Sequence, residues 1–470
     1  MSDAFTLTIN DEEVNVQGVQ PSKTLLHYLR EAGWVGSKEG CGDGDCGACT
    51  VAVKGEDHEG RPRYLAVNSC LIPVAAMAGR EIVTVEGVAG NELHPVQRAM
   101  VAFGGSQCGY CTPGFVMSLF AGYYSGNLTD DVVEGNLCRC TGYLPIRRAM
   151  HSLNEPDEDD RFLRKLAEQS STTKDRGSVA VHVNGQRFYS PTTLDEVYAL
   201  LEAHPDAVLV AGATDLGLEF SYHRRHYPIL IALERVGELK TIENTSDALT
   251  LGAGVTLSQL EAAAAGIVPS LDQMLHLFAA RQIRNRATVG GNLGTASPIG
   301  DLPPVFLALD AVVTLASKDG AREVPIDQFF TSYRKTVRTH GEVIHSVRLP
   351  KGLPAGTERR LNRAYKVAKR GSDDISSVAA AFTLDLGEGG RIVQARLAYG
   401  GVAPTPVRAR EVEAQLVGRP WSEATMREAK AALHDAFEPI SDARASAGYR
   451  REVTANLVEK FFLDTQEVLR

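Results

Sequence analysis

Eight cysteines carry the chemistry of this chain, and all of them precede position 141. Cys41, Cys46, Cys49 and Cys70 form one group, three on a C-x4-C-x2-C loop and the fourth further on. Cys108, Cys111, Cys138 and Cys140 form another, a C-x2-C followed by a C-x-C. Four thiolates are what one [2Fe–2S] cluster requires. Two clusters in one chain imply one-electron traffic, so the residues point to a protein that moves electrons.

The first spacing is the one plant-type ferredoxins use. Disulfides are the alternative in small secreted domains, but here the cysteines sit in the first third of a 470-residue chain with no leader-like opening. Structural zinc is the closer competitor, yet zinc sites usually pair two short knuckles, whereas this loop supplies three thiols by itself. The opening, MSDAFTLTIN, has neither a basic segment nor an apolar run, so a cytoplasmic protein is expected. With 49 basic and 58 acidic side chains the net charge is −9, which gives no reason to seek nucleic acid or an anionic membrane. No apolar run reaches the ~18 residues of a membrane helix.

The elements that must position these thiols are readable in outline. Phe5–Ile9 and Val14–Val16 alternate as a hairpin turning at Asn10-Asp11. Thr24–Ala32 has helical spacing, Thr50–Val53 and Glu81–Val85 read as strands, and Cys70 lies between those strands. This is a small mixed α/β, ferredoxin-like unit. From His94 the pattern turns helical: a helix started by Pro95 and ended by Gly104-Gly105, a second over 113–123, a third over 128–134 and a last over 145–153. Asn154–Ser178 is charged and reads as a linker with a brief helical part. Beyond it strands (208–211, 229–233, 249–252, 312–315, 343–349) alternate with helices (194–203, 257–266), and from about Leu361 an α+β tail begins.

The second half contains neither a P-loop nor G-x-G-x-x-G; Gly252-Ala253-Gly254 lacks the third glycine and reads as a strand end. Two other small-residue loops, Val208–Leu216 and Thr288–Pro298, could bring backbone N–H groups to a pyrophosphate, or could simply be tight turns. Beside two iron–sulfur sites they favour a flavin, which exchanges electrons singly or in pairs.

At these residues the chain resembles the xanthine dehydrogenases and related molybdenum hydroxylases. KEGCGDGDCGACTV is similar to their first cluster loop, GGSQCGYCTPGFVMSL and GNLCRCTGY to their second, and VLVAGATDLGLEF and RQIRNRATVGGNLGTASPIGDLPPVFLALDA to their FAD domain. SYRKT (332–336) and SDDIS (372–376) are similar to the xanthine dehydrogenase branch. The resemblance implies a multidomain α+β fold: a ferredoxin-like [2Fe–2S] domain over 1–88, a helical-bundle [2Fe–2S] domain over 89–160, a linker over 161–178, an α+β FAD-binding domain over 179–352 and an α+β C-terminal domain over 358–467. It implies the electron-transfer subunit of a xanthine dehydrogenase. Purine hydroxylation, hypoxanthine and xanthine to urate, would occur on a partner chain holding molybdopterin. Electrons would pass through the second cluster, the first cluster and FAD to NAD+ as co-substrate, in a heterotetramer with two copies of each chain.

Position by position, the resemblance places Leu209, Val210, Ala211, Gly212, Ala213, Thr214, Asp215 and Leu216 around the FAD pyrophosphate. Phe278 would pack by the isoalloxazine; by itself it reads as a core aromatic. Thr288, Gly291, Asn292, Thr295 and Asp301 would hold the phosphates and ribityl region. Ile344 and Lys366 match flavin contacts, though alone they are a core strand residue and a solvated lysine. Tyr333 and Asp374 would lie where NAD+ enters, and Gln107 and Cys140 nearest the partner's pterin. With no cysteine after Cys140, no thiol is available in the flavin part to switch its acceptor, so oxygen is expected to be a poor one. The same electron chain serving an aldehyde or N-heterocycle hydroxylase, and a non-catalytic iron–sulfur carrier or scaffold, are the alternatives.

Overall fold

In the computed structural model, which describes residues 2–168 and 177–469, the chain opens with the expected hairpin. Strands Ala4–Ile9 and Glu12–Gln17 pair antiparallel with Ile9 opposite Glu12, and both turn residues, Asn10 (φ 50°) and Asp11 (φ 72°), adopt the left-handed backbone a two-residue hairpin needs. The hairpin joins a five-stranded sheet in the order Glu12–Gln17, Ala4–Ile9, Glu81–Val83, Thr50–Glu56, Pro62–Asn68. Helix Leu25–Glu31 starts where Thr24 Oγ1 accepts from the His27 N–H, and it buries Leu25, Leu26, Tyr28 and Leu29. The strand Pro62–Asn68 was not among the sequence expectations. Its alternation is masked by Arg61, Arg63 and Pro62 at its start.

The helical part follows. Pro95 is the first residue of helix Pro95–Ala102, and helix Thr112–Ser125 ends at Gly126 in the left-handed conformation (φ 69°). Helix Leu144–His151 closes the bundle. The helix expected over 128–134 is only a single turn, Asp130–Val132. There the Asp131 carboxylate is committed to Arg281 and Arg284 instead of to solvent. The expected linker over 161–178 also needs correction. Its first part is a packed helix, Arg161–Ala167, capped by Asp160, which sends Phe162 and Leu166 into the core. Phe162 meets Phe120, Tyr124 and Tyr64 edge-on or tilted at ring-centroid distances of 4.7, 5.6 and 5.8 Å. Residues 169–176 of that linker lie outside the described residues.

His94 sits in this aromatic core. Its Nδ1 accepts from the Val96 N–H, so the neutral ring carries its proton on Nε2, 2.7 Å from the Tyr124 hydroxyl. Burial pushes its pKa down to about 4. Between pH 6.5 and 4 the unfolded chain therefore takes up a proton that the folded chain refuses. Stability is whole above pH 6.5 and falls as pH drops to 4, by on the order of 3 kcal/mol. Urea unfolding at stepped pH should show this decline, and His94→Gln should flatten it; a wild-type profile already flat across that window would refute the assignment.

By contacts the described chain divides into two units. The first is residues 1–237 with 256–259 and 279–287; the second is residues 238–255, 260–278 and 288–470. The first unit adds a four-stranded sheet in the order Val179–Val183, Gln186–Ser190, Ile229–Ala232, Val208–Val210, whose Val181, Phe188, Val210 and Leu230 share a core with Leu7, Ile9 and Val51. In the second unit an antiparallel sheet runs in the order Ile242–Asn244, Ala248–Gly252, Val343–Pro350, Val312–Ser317, Gly320–Pro325. Another comprises Arg359–Val367, Val378–Leu386, Ile392–Gly400 and Val407–Arg408, and helices Glu423–His434 and Ala447–Leu469 belong to the same unit. The α+β tail expected from Leu361 is thus present. No helix among the described residues is long and apolar enough to cross a membrane.

Candidate functional site

The first cysteine loop folds as its glycines require. Gly42, Gly44 and Gly47 have φ of 77°, 88° and 65°, and a Cβ on Gly40 would lie 2.7 Å from the Cys46 sulfur. Two side chains pin the loop: Asn68 Nδ2 donates to the Gly44 carbonyl (2.6 Å) and Ser69 Oγ to the Cys49 carbonyl (2.7 Å). Cys49, the last thiol of the loop, immediately precedes strand Thr50–Glu56, and Cys70 sits in the short turn Ser69–Leu71 that follows strand Pro62–Asn68. The thiols meet in pairs. A hydrogen bond from Cys41 lowers Cys46 to about 7, and the same contact raises Cys41; Cys70 is likewise raised, and Cys49 lowered, by their mutual hydrogen bond. The Cys46 N–H also donates to Cys41 Sγ at 3.3 Å.

The second group pairs Cys108 with Cys140 and Cys111 with Cys138. Burial, with the Cys138 contact second, pushes Cys111 up to about 12. Cys138 Sγ receives the Thr141 N–H at 3.4 Å, and the Cys138 N–H donates to the Tyr143 hydroxyl at 3.0 Å. Cys108 and Cys140 are exposed, as are Gln107 beside them and Val101, Phe103, Tyr110 and Leu144. Among the described residues no three or more His, Cys, Asp or Glu side chains are arranged to hold a single metal ion. Two thiol pairs per group, with amides aimed at sulfur, form a donor set that fits a two-iron cluster.

The two loops touch. The Leu137 N–H donates to the Cys46 carbonyl (3.0 Å) and Asn136 Nδ2 to the Gly47 carbonyl (3.0 Å). Gln282 Nε2 reaches both Ser118 Oγ (2.9 Å) and Asn136 Oδ1 (3.1 Å), and is fully buried in doing so. Sequence reading missed Asn136 and Gln282, because a polar side chain gives no local sign of a partner some 150 positions away.

The residues expected around FAD fall in both units. Leu209–Leu216 belongs to the first: strand Val208–Val210 runs into a turn with Ala213 at φ 64° and then helix Leu216–Ser221, and a side chain on Gly212 would collide with the Arg286 backbone. The other candidates lie in the second. Thr288 caps helix Val289–Gly294 by accepting from the Gly291 N–H at 3.0 Å. Within that helix Asn292 Oδ1 is buried with no hydrogen-bond partner among the described residues, and Thr295 Oγ1 returns to the Asn292 carbonyl. Asp301 accepts from Lys366 Nζ (2.9 Å) and Ser376 Oγ (2.5 Å), and Lys366 Nζ stands 5.9 Å from the Phe278 ring centroid. Lys366 is therefore not the solvated lysine it resembles alone; its side chain is 2% exposed. Ile344 lies on strand Val343–Pro350, its Cδ1 3.5 Å from where a Gly294 Cβ would stand. A helix start capped by Thr288 and containing Gly290 and Gly291, beside the Asn292 side chain whose Oδ1 lacks a partner among the described residues, offers backbone N–H and amide groups of the kind that fit a phosphate-bearing cofactor.

Tyr333 is 61% exposed, between strands Phe330–Ser332 and Lys335–Thr336. Asp374 lies in another turn, where burial would raise its pKa, but the Arg370 and Ile375 N–H groups outweigh it and hold the carboxyl low.

Four family profiles match the chain: "2Fe-2S iron-sulfur cluster binding domain" over 7–75, "[2Fe-2S] binding domain" over 84–151, "FAD binding domain in molybdopterin dehydrogenase" over 182–352 and "CO dehydrogenase flavoprotein C-terminal domain" over 363–465. Among curated relatives, the xanthine dehydrogenase of Emericella nidulans is 32% identical over 98% of this chain and 38% of its own length. The xanthine dehydrogenase/oxidase of Gallus gallus is 32% identical over 99% and 40%. The chain thus spans about two fifths of the length of these relatives. Among solved structures, the carbon monoxide dehydrogenase from Hydrogenophaga pseudoflava is similar over 58% of this chain and 94% of its own, with a TM-score of 0.54 and 28% identity. Quinoline 2-oxidoreductase from Pseudomonas putida 86 is similar over the same shares, at 0.53 and 29%.

Proposed function

We propose, for a chain that belongs to the molybdenum hydroxylase family as its iron–sulfur and FAD-binding part, that it is the electron-transfer subunit of a xanthine dehydrogenase. The observation that carries this reading is the placing of eight thiols in two four-cysteine groups, with the Cys46 and Thr141 N–H groups donating to sulfur, in a chain that also holds the buried Lys366–Asp301 ion pair. When bound, the clusters would carry electrons singly and FAD would exchange them singly or in pairs, which is the chemistry needed between a partner's molybdopterin, oxidising hypoxanthine or xanthine to urate, and NAD+.

The chain's own residues divide the work. Cys41, Cys46, Cys49 and Cys70 would hold one cluster, and Cys108, Cys111, Cys138 and Cys140 the other. Exposed Gln107, Cys108 and Cys140, flanked by Val101, Phe103, Tyr110 and Leu144, offer the face on which a molybdopterin chain would dock, two copies of each making a heterotetramer. Leu209–Leu216, Thr288, Gly291, Asn292, Thr295 and Asp301 would hold FAD, with Phe278, Ile344 and Lys366 at its ring, while Tyr333 and Asp374 would meet NAD+. We place the domains at 1–88, 89–160, 179–352 and 358–467, and the protein in the cytoplasm.

Asp301→Ala leaves the Lys366 ammonium buried without its carboxylate, and Lys366→Met does the reverse. Each should weaken FAD binding at least tenfold, about 1.4 kcal/mol, measured as flavin retained after desalting, with iron content unchanged. Flavin retention equal to wild type in both variants would remove these residues from the site.

The reading as a whole is tested by anaerobic analysis of the purified chain with and without its partner: iron, sulfide, flavin, then NADH titration. About four iron and one FAD, both bleached by NADH, support it. Iron without flavin in well-folded material would leave a carrier or scaffold. A second reading, an N-heterocycle hydroxylase, is favoured by the likeness to quinoline 2-oxidoreductase; turnover of the reconstituted complex with quinoline but not xanthine would select it.

A further inference from the structure

The segment Ala279–Ala287 lies inside the range whose sequence resembles a flavin domain, yet its contacts belong to the iron–sulfur unit. It is fastened there on both sides of Ile283. Gln282 reaches Ser118 and Asn136, Asn285 Nδ2 donates to the Ala66 carbonyl at 2.9 Å, and Arg281 and Arg284 grip Asp131. Ile283 is thereby held against an apolar cluster made of Leu26, Leu71 and the thiol pair Cys49 and Cys70, with Leu218 beside it. Its Cδ1 would stand 3.2 Å from a Cβ on Gly44, so it overlies the cysteine loop itself. Cys49 and Cys70 are 2% and 1% exposed, whereas Cys41 and Cys46 are only half-buried.

We infer that Ile283, with Leu218, is a positioning residue that seals the Cys49/Cys70 side of the first cluster from water and so holds that cluster's reduction potential down. The inference rests on the [2Fe–2S] reading above. Reduction adds one electron, and with it negative charge, to an already anionic cluster. A dry apolar wall solvates the more charged state less well and opposes the electron. An amide or a water admitted at this wall would donate to sulfur and favour it. The flavin-like stretch of sequence would then contribute to tuning a cluster whose ligands lie more than 200 positions earlier.

The experiment is an anaerobic, EPR-monitored redox titration of the full holo-chain, preceded by iron and sulfide analysis and a melting curve. Ile283→Asn and Leu218→Asn should each raise the midpoint of the first cluster enough to change its reduced-to-oxidised ratio tenfold or more at fixed potential, 59 mV for one electron. Ile283→Val should leave it in place. The second cluster, its signal assigned with Cys138→Ser, should not move in any of them. If Ile283→Asn loses iron, Leu218→Asn decides from the other side of the same wall. An unmoved first midpoint in a variant that keeps its iron overturns the inference, as does an equal shift of both clusters, which would mean general loosening. Wild-type protein without iron or sulfide would instead sink the [2Fe–2S] reading and the inference with it.

Discussion

Replacing Cys70 by serine is expected to lower the iron content from about four to about two per chain and to remove the first cluster's EPR signal, leaving the second intact. Cys70 shares a hydrogen bond with Cys49, and both are held in an apolar cluster with Leu26 and Leu71, where no exposed side chain can substitute as ligand. A serine hydroxyl is a poor thiolate surrogate at a buried site, because its oxyanion is far harder to form. Cys108→Ser is the reciprocal control, since it should spare the first cluster. Metal analysis with EPR of the dithionite-reduced protein checks both. Retention of four iron and both signals in Cys70→Ser would mean that the eight thiols are not two independent four-sulfur sets.

Asp131→Ala is expected to destabilise the first unit by about 3–5 kcal/mol. Arg284 has a fully buried side chain and Arg281 a largely buried one, and both converge on this carboxylate, Arg281 at 2.5 Å. Burial alone would raise the Asp131 pKa, but the two guanidinium groups outweigh it and hold it below the usual carboxylate range. Removing the carboxylate strands two positive charges in a site with little water. Because the folded pKa is depressed, the contribution is complete above the unfolded value of about 3.9 and disappears as pH falls through the folded one. Urea unfolding followed by far-UV dichroism should show a lower midpoint with an unchanged slope. A midpoint within experimental scatter of wild type would show that the pair adds nothing beyond what solvent would supply.

These two substitutions also separate what was legible in the chain from what was not. The cysteine spacing, the Asn10-Asp11 turn, Pro95 at a helix start and the strand ending near Val210 act over a few residues, and each is where local chemistry requires it. The single turn at Asp130–Val132 defeated the expectation of a helix because Asp131 answers to arginines about 150 positions later. Helix Arg161–Ala167 was legible only as a brief helical part of a charged linker, because its two buried residues, Phe162 and Leu166, have meaning only once Tyr64 and Tyr124 are beside them.

By itself, then, the amino-acid sequence determined how many thiols there are and how they are spaced, eight in two groups, and where small residues free the backbone to turn. Those properties belong to residue types and to short-range backbone freedom. Only the tertiary structure decided that Cys41 meets Cys46 and Cys49 meets Cys70, that Lys366 closes on Asp301, and that Gln282 and Ile283 belong beside the cysteine loops. Each joins segments separated in the chain, and hydrophobic burial and the need to pair buried charge bring such segments together without leaving a short-range signature.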